Sequence, residues 1–421
     1  MIIYEGLKEV LLRSPGFYSI YKDSEEILMK KSYQNIEEII AEMPAIREIC
    51  ISLRETLLAN LVMLGEIPAP TFHEAARVNF LLQRFSECGL TSTSSDECGN
   101  GFGILPGRDS ERNILMLAHA DTVFSAQRNH TVSVRAGKIT GPGIADNSLG
   151  LAVLATLPTL LEKLEIKLNS GLVLMGAARS LGRGDLEGIR FFLENNKIPI
   201  TAGICVEGVR LGRLSYASAG MLRGEITCRV PEEYDWIRRG ATGAILVLNE
   251  VVNRILGIPL PRRPQTSIAL GSIEAGEGFN IIPTEGILRF EVRSESSEIV
   301  RQIASELDDI MAEVMSKTGA EVTLDIVARR EPAGLTIGHP LVKQTREIMN
   351  ALDLRPHITP SISEISVMIA RGIPAVTIGI TEGERLQEPR ETVLLEPMFT
   401  GLTQLVAVLL AIDGGFCNEP E

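Results

Sequence analysis

The segment "MLAHADTVF" (116–124) sets a histidine and an aspartate one residue apart at the end of an apolar run. In extended chain, residues i and i+2 share a face, so His119 and Asp121 point the same way. An aspartate beside a histidine can accept its second N–H, fixing the tautomer that leaves the other nitrogen for a metal. Taken alone, the pair reads more readily as a hydrogen-bonded loop contact. "GPGIADNSLGLAVLATL" (141–157) is a glycine-rich turn that brings Asp146 and Asn147 to a helix start. Asp146 is there either an N-cap or a carboxylate held to bridge cations. "ICVEG" (204–208) adds Glu207 at the end of another apolar run, where a charge needs a partner or a cation.

These residues need elements that bring their ends together. From about 66 to 215, helices alternate with short apolar runs: "ILMLA" (114–118), "GLVLMGA" (171–177) and "AGICVEG" (202–208). Uniformly apolar strands separated by helices predict an α/β fold, a mainly parallel sheet with helices on both faces. Ligand sites in such sheets lie at strand ends. Residues 1–65 read as helical, interrupted by Pro44. Between 216 and 331 the order becomes β-α-β-β-α-β, an inserted ferredoxin-like α+β unit. The first style returns over 332–421, with a strand at 373–379 and a closing helix at 397–412.

Bulk properties exclude several classes. A formal net charge of −13 and the lack of a basic stripe argue against nucleic acid. The apolar run 405–412 is far below the ~20 residues that span a bilayer. Six cysteines without a CxxC pair read as free thiols, so a cytoplasmic location is expected, with no membrane partner.

With these motifs in place, the chain resembles the zinc metallopeptidase family of tripeptidase T, the aminoacylases and the glutamate carboxypeptidases. The resemblance takes in "AHADTVF", "GPGIADNSLG", "GRGDLEGIR", "VEG", "GEGFNIIP", "LRFEVRSE" and "RGIPAVTIG", in order. It implies a zinc-exopeptidase-like fold interrupted by a dimerisation or lid domain. It also implies that His119, Asp146 and Glu207 hold one zinc, with Asp121 behind His119. A His/Asp/Glu set with an open position suits Zn²⁺.

The sequence departs from the family at the other half of the site. Two adjacent glutamates, the general base and a ligand of the second zinc, are expected where Ser180 and Leu181 stand. A histidine four residues before a glutamate is expected where Gln387 precedes Glu391. Tyr234 stands at the position of the lid histidine that polarises the scissile carbonyl. Asn280 and Arg293 keep the family's spacing of thirteen residues for the substrate carboxylate. Arg293 lies on the polar face of "ILRFEVR" (287–293), where it either takes that carboxylate or faces solvent.

The expectation is a metallopeptidase-like protein with a degenerate site. It binds a small peptide or acylamino acid without cleaving it and holds at most one zinc per chain. A single-zinc hydrolase with altered chemistry and a dimeric scaffold are the alternatives. A homodimer through 216–331 is expected. So is a guanidinium, from Arg179 or Arg385, at the place of the second zinc, facing Asp146, Glu207 and Glu364.

Overall fold

Strands apolar on both sides must be covered on both faces. The computed structural model, which describes residues 33–231, 243–279 and 281–419, has that layering. The main sheet contains β1 (Thr91–Ser95), β2 (Gly101–Leu105), β3 (Asp109–His119), β4 (Ser170–Ala177), β5 (Ile200–Val209), β6 (Arg213–Ser215), β11 (His357–Ile358) and β12 (Ala375–Thr381). Its order is β1-β2-β4-β3-β5-β12-β6-β11. The central β4, β3, β5 and β12 are parallel.

Alternate residues of these strands enter two separate cores. Ile114 and Met116 of β3 join α1 (Ile36–Ser52), α2 (Arg54–Glu66), α3 (Ala75–Glu87), α4 (Leu149–Lys163) and α10 (Leu395–Asp413) on one face. Leu115 and Leu117 pack on the other against α5 (Glu187–Asn195) and α9 (Ile365–Ala370). Each fully buried side chain contributes about 1.5–3 kcal/mol. Two helical segments, Ile144–Lys163 and α10, are long and apolar enough to cross a bilayer, but both are buried inside the protein, as core helices are.

The expected break at Pro44 does not occur; α1 runs through it and the chain breaks at Leu53 instead. Ile36, Ile39, Met43, Ile46 and Cys50 form one buried stripe of α1, which packs on α10. That contact outweighs the ~3 kcal/mol cost of an interior proline. Residues 1–32 of the expected helical segment lie outside the described residues.

A second sheet has the expected strand and helix order. β7 (Gly220–Arg229), α6 (Ala244–Leu256), β8 (Thr266–Ala275), β9 (Glu285–Ser294), α7 (Ser297–Thr318) and β10 (Glu321–Arg330) follow one another. The sheet is antiparallel, ordered β8-β9-β7-β10, with α6 and α7 sharing its own core. A further small sheet, unforeseen, joins 383–384, 392–394, 138–140 and 133–135. It ties the loop after β12 to the turn that carries Asp146. Between β10 and β11 lies α8 (Pro340–Ala351).

Candidate metal centre

Leu117 of β3 lies opposite Cys205 of the parallel β5. Two residues on, His119 and Glu207 therefore leave adjacent strands side by side. Asp146 reaches them from the turn Ile144–Ser148, ahead of α4. The helix-capping role falls to its neighbour Asn147, whose Oδ1 accepts from Gly150 N (3.1 Å) and Gly208 N (3.0 Å). Asn147 Nδ2 donates to the Val206 carbonyl at 2.8 Å, fastening the turn to β5. The glycine of "VEG" is required here, because a Cβ on Gly208 would lie 2.2 Å from the Ala145 carbonyl oxygen.

The three side chains converge, with one ligand atom from each of His119, Asp146 and Glu207 within 4.8 Å of the others. His119 Nδ1 lies 2.9 Å from the Asp121 backbone carbonyl, which can only accept, so Nδ1 carries a proton. Nε2 faces Asp146 Oδ1 at 2.9 Å. Burial pulls the imidazole pKa down, but the carboxylates of Asp121 and Asp146 prevail and hold it well above the usual histidine value. Burial pushes Glu207 up, against the opposing charge of Arg213. Asp146 is buried too, yet the bond from His119 and the charge of Arg213 keep it low. Two carboxylates facing Nε2 favour a cation between them, and the fixed tautomer leaves that nitrogen for it. This donor set could hold a metal ion, and its ligand types suit zinc.

Behind His119, Asp121 is fully buried. Its Oδ2 accepts from Thr71 Oγ1 and Leu181 N, both at 2.8 Å, and its Oδ1 stands 3.4 Å from His119 Nδ1. Below it lies Arg77, also fully buried, which donates to the Ile67 carbonyl (2.7 Å) and the Ala120 carbonyl (3.2 Å).

At the positions that the resemblance assigns to a base and a second metal, Ser180, Leu181 and Gln387 offer no carboxylate or imidazole. Leu181 offers no side-chain donor. Ser180 is buried, with Oγ donating to Glu364 Oε1 at 2.5 Å. Gln387 lines the same cleft as Asp146 and offers an amide in place of an imidazole. Glu391 turns inward to accept from Ala145 N (3.0 Å), Asp146 N (3.3 Å) and Gln387 N (2.8 Å). Burial raises its carboxyl pKa to about 7.

The compensating cation differs from the one expected. Arg179 donates to Glu187 at 2.9 Å and stacks over Phe72, because its backbone turns the side chain toward the start of α5. Arg385 is exposed on its loop. Arg213, at the start of β6, instead stands 3.8 Å from Glu207 and lowers both Glu207 and Asp146 by its charge.

His119, Asp146, Glu207 and Ser180 open on a cleft of about 440 Å³ that Arg213, Arg223, Arg293 and Arg330 also line. Arg293 alternates with buried Leu288, Phe290 and Val292 along β9, as its strand pattern requires. Asn280 and Tyr234 lie outside the described residues. The sequence reading missed Arg213, Arg223 and Arg330, which come from separate strands and share no local motif. Of the other histidines, His339 caps α8 and His130 meets the Ser125 carbonyl, while His73 and His357 are exposed.

Residues 115–411 match the family model described as peptidase family M20/M25/M40. Aminopeptidase PepT from Bacillus cereus superposes with a TM-score of 0.63 at 18% identity, covering 85% of this chain and 98% of its own. The di-peptidase Dug1p from Saccharomyces cerevisiae gives 0.74 at 12% identity, over 90% and 99%. The YxeP protein from Bacillus subtilis, a dinuclear metal-binding peptidase of family M20, gives 0.58 at 14% identity, over 86% and 98%. At these identities the superpositions establish a shared fold. No curated protein sequence gives a significant match.

Proposed function

This chain belongs to peptidase family M20/M25/M40, and from that premise we propose that it binds a small peptide or acylamino acid without cleaving it. The observation that carries this reading is the hydrogen bond from Ser180 Oγ to Glu364. A hydroxyl donor occupies the place where hydrolysis needs a carboxylate base, and a base contributes about 10²–10⁴-fold. In this reading His119, Asp146 and Glu207 hold a single zinc. The metal would polarise a ligand carbonyl. Arg293, with Asn280, takes the ligand's carboxylate. Tyr234, at the lid position, supplies a phenol without positive charge.

The proposal treats 216–331 as an inserted lid between 66–215 and 332–421, with the described part of 1–65, residues 33–65, packed on the latter pair. It includes a cytoplasmic location and a homodimer through the lid. Exposed Leu246 and Leu256 on α6 and Ile273 on the edge strand β8 support the dimer, and with it the scaffold alternative. One observation favours a single-zinc hydrolase instead: Glu364 is a buried carboxylate one hydrogen bond from the lost base position.

Metal analysis after dialysis, paired with a cleavage screen of di- and tripeptides and acylamino acids, tests the reading. At most one zinc per chain and no turnover are expected. Two zinc equivalents, or turnover abolished by His119→Ala, would overturn it.

A further inference from the structure

The cleft beside His119 contains guanidinium groups that its own carboxylates do not saturate. Arg223 is fully engaged: Nε and Nη2 donate to Glu291, and Nη1 to the Gly182 carbonyl. Arg330 is held at both terminal nitrogens, Nη1 on the Ile362 carbonyl at 2.6 Å and Nη2 on Asp185. The remaining two are different. Arg293 uses only Nε, on Glu291 at 2.6 Å, and its two terminal nitrogens have no partner among the described residues. Its side chain is 53% exposed on the cleft side of β9. Arg213 donates Nη2 to Ser361 Oγ at 3.3 Å, while Nη1 comes no closer than 3.8 Å to Glu207. Glu207 thus offsets part of the Arg213 charge without occupying its fork.

These two arginines come from different sheets. Arg293 belongs to the antiparallel sheet and Arg213 to the main one, and the 440 Å³ cleft lies between them. A guanidinium binds a carboxylate best through two parallel N–H bonds, and each of these forks has a terminal nitrogen to give. A ligand with a single carboxylate satisfies one fork and leaves the other unmatched. A ligand with two satisfies both.

We propose that the ligand is a dicarboxylate: an acylated or peptide-linked amino acid with one carboxylate on Arg293 and a second on Arg213. This rests on the acylamino-acid reading above and narrows it to acidic members of that class.

Calorimetric titration of the full-length, zinc-loaded protein with N-acetyl-L-glutamate and N-acetyl-L-glutamine is the test. The two compounds differ only in the second carboxylate. The glutamate is expected to bind at least about tenfold more tightly, a preference that weakens as salt screens the charges. Arg213→Gln is expected to bring the ratio of affinities within about twofold, and Arg213→Lys to retain part of it. Equal affinities in the unmodified protein would overturn the dicarboxylate inference alone, with no variant needed. A full preference surviving in Arg213→Gln would overturn the role of Arg213. Binding of neither compound would overturn the underlying acylamino-acid reading, and this inference with it.

Discussion

On the main-sheet side the cleft presents carboxylates, Asp146, Glu207 and Glu364, around His119; on the antiparallel-sheet side it presents Arg223, Arg293 and Arg330. The first wall is fixed from behind by buried bonds, from Asn147 to β5 and from Glu391 to the Asp146 turn. Two arginines of the second wall reach across to the loop after β4. Arg223 takes the Gly182 carbonyl and Arg330 takes Asp185, while Arg183 of the same loop reaches back to Glu225. The loop after β4 therefore serves here as a strut between the sheets. One wall brings together three side chains that could hold a cation. The other is tied to the loop beside them.

Breaking the deepest of those cross-wall contacts should have the largest effect. Arg330 and Asp185 are only 13% and 10% exposed, so Arg330→Ala leaves a buried carboxylate with just the outer Arg190, 3.2 Å away. Removing one partner of a buried pair typically costs about 3–5 kcal/mol, and Arg190 should hold the loss near 3. Urea denaturation measures it. A loss below about 1 kcal/mol would mean that the strut carries no load.

The other wall offers a smaller test. Asp121 fixes His119 from behind and is itself pinned by Thr71 and Leu181. Residues that orient a metal ligand in this way usually contribute about 10–100-fold to metal affinity. Asp121→Ala keeps the backbone carbonyl on Nδ1 and removes only the carboxylate 3.4 Å away, so it should lose zinc affinity by the low end of that range, about tenfold, in a chelator competition, with ligand preference at Arg213 unchanged. An unaltered zinc affinity would detach Asp121 from the centre.

The same division explains what the sequence disclosed. The cation-holding wall was legible because each residue ends a periodic element: His119 closes β3, Glu207 sits near the end of β5, and Asp146 precedes α4. The alternation along β9 likewise placed Arg293 on the polar face. The arginine wall was not legible, because Arg223 and Arg330 leave separate strands, β7 and β10, and reach one cleft with Arg213 of the main sheet only once the two sheets face each other. The inward turn of Glu391 was not legible either, since the segments of two or three residues that fold it inward carry no periodic signal. Arg179 looked right by proximity in sequence to Ser180, but a positive φ of 52° turns it away.

The smallest expected effect belongs to the exposed member of the strut. Arg183 donates to Glu225 at 3.1 and 2.7 Å, but its side chain is 58% exposed and Arg289 also holds Glu225, at 3.1 Å. Exposed pairs contribute about 0.2–1 kcal/mol, and the second arginine places this one at the low end, so Arg183→Ala should cost roughly 0.3 kcal/mol near neutral pH. Its pH dependence identifies the cause. The bond from Arg183, joined by Arg289, holds the Glu225 pKa below the ordinary glutamate value of 4.5. A depressed carboxyl stabilises the fold above its unfolded pKa, and that contribution is lost as pH falls through the folded value. The cost of Arg183→Ala should therefore shrink as pH falls below 4.5 and through the lowered folded value, and also with added salt, which screens an exposed pair. The cost of Arg330→Ala should respond less to salt, because its pair is shielded from solvent. Equal salt sensitivity of the two variants, read from urea midpoints, would show that both contacts act as surface pairs and that the strut is no more than a coincidence of charge.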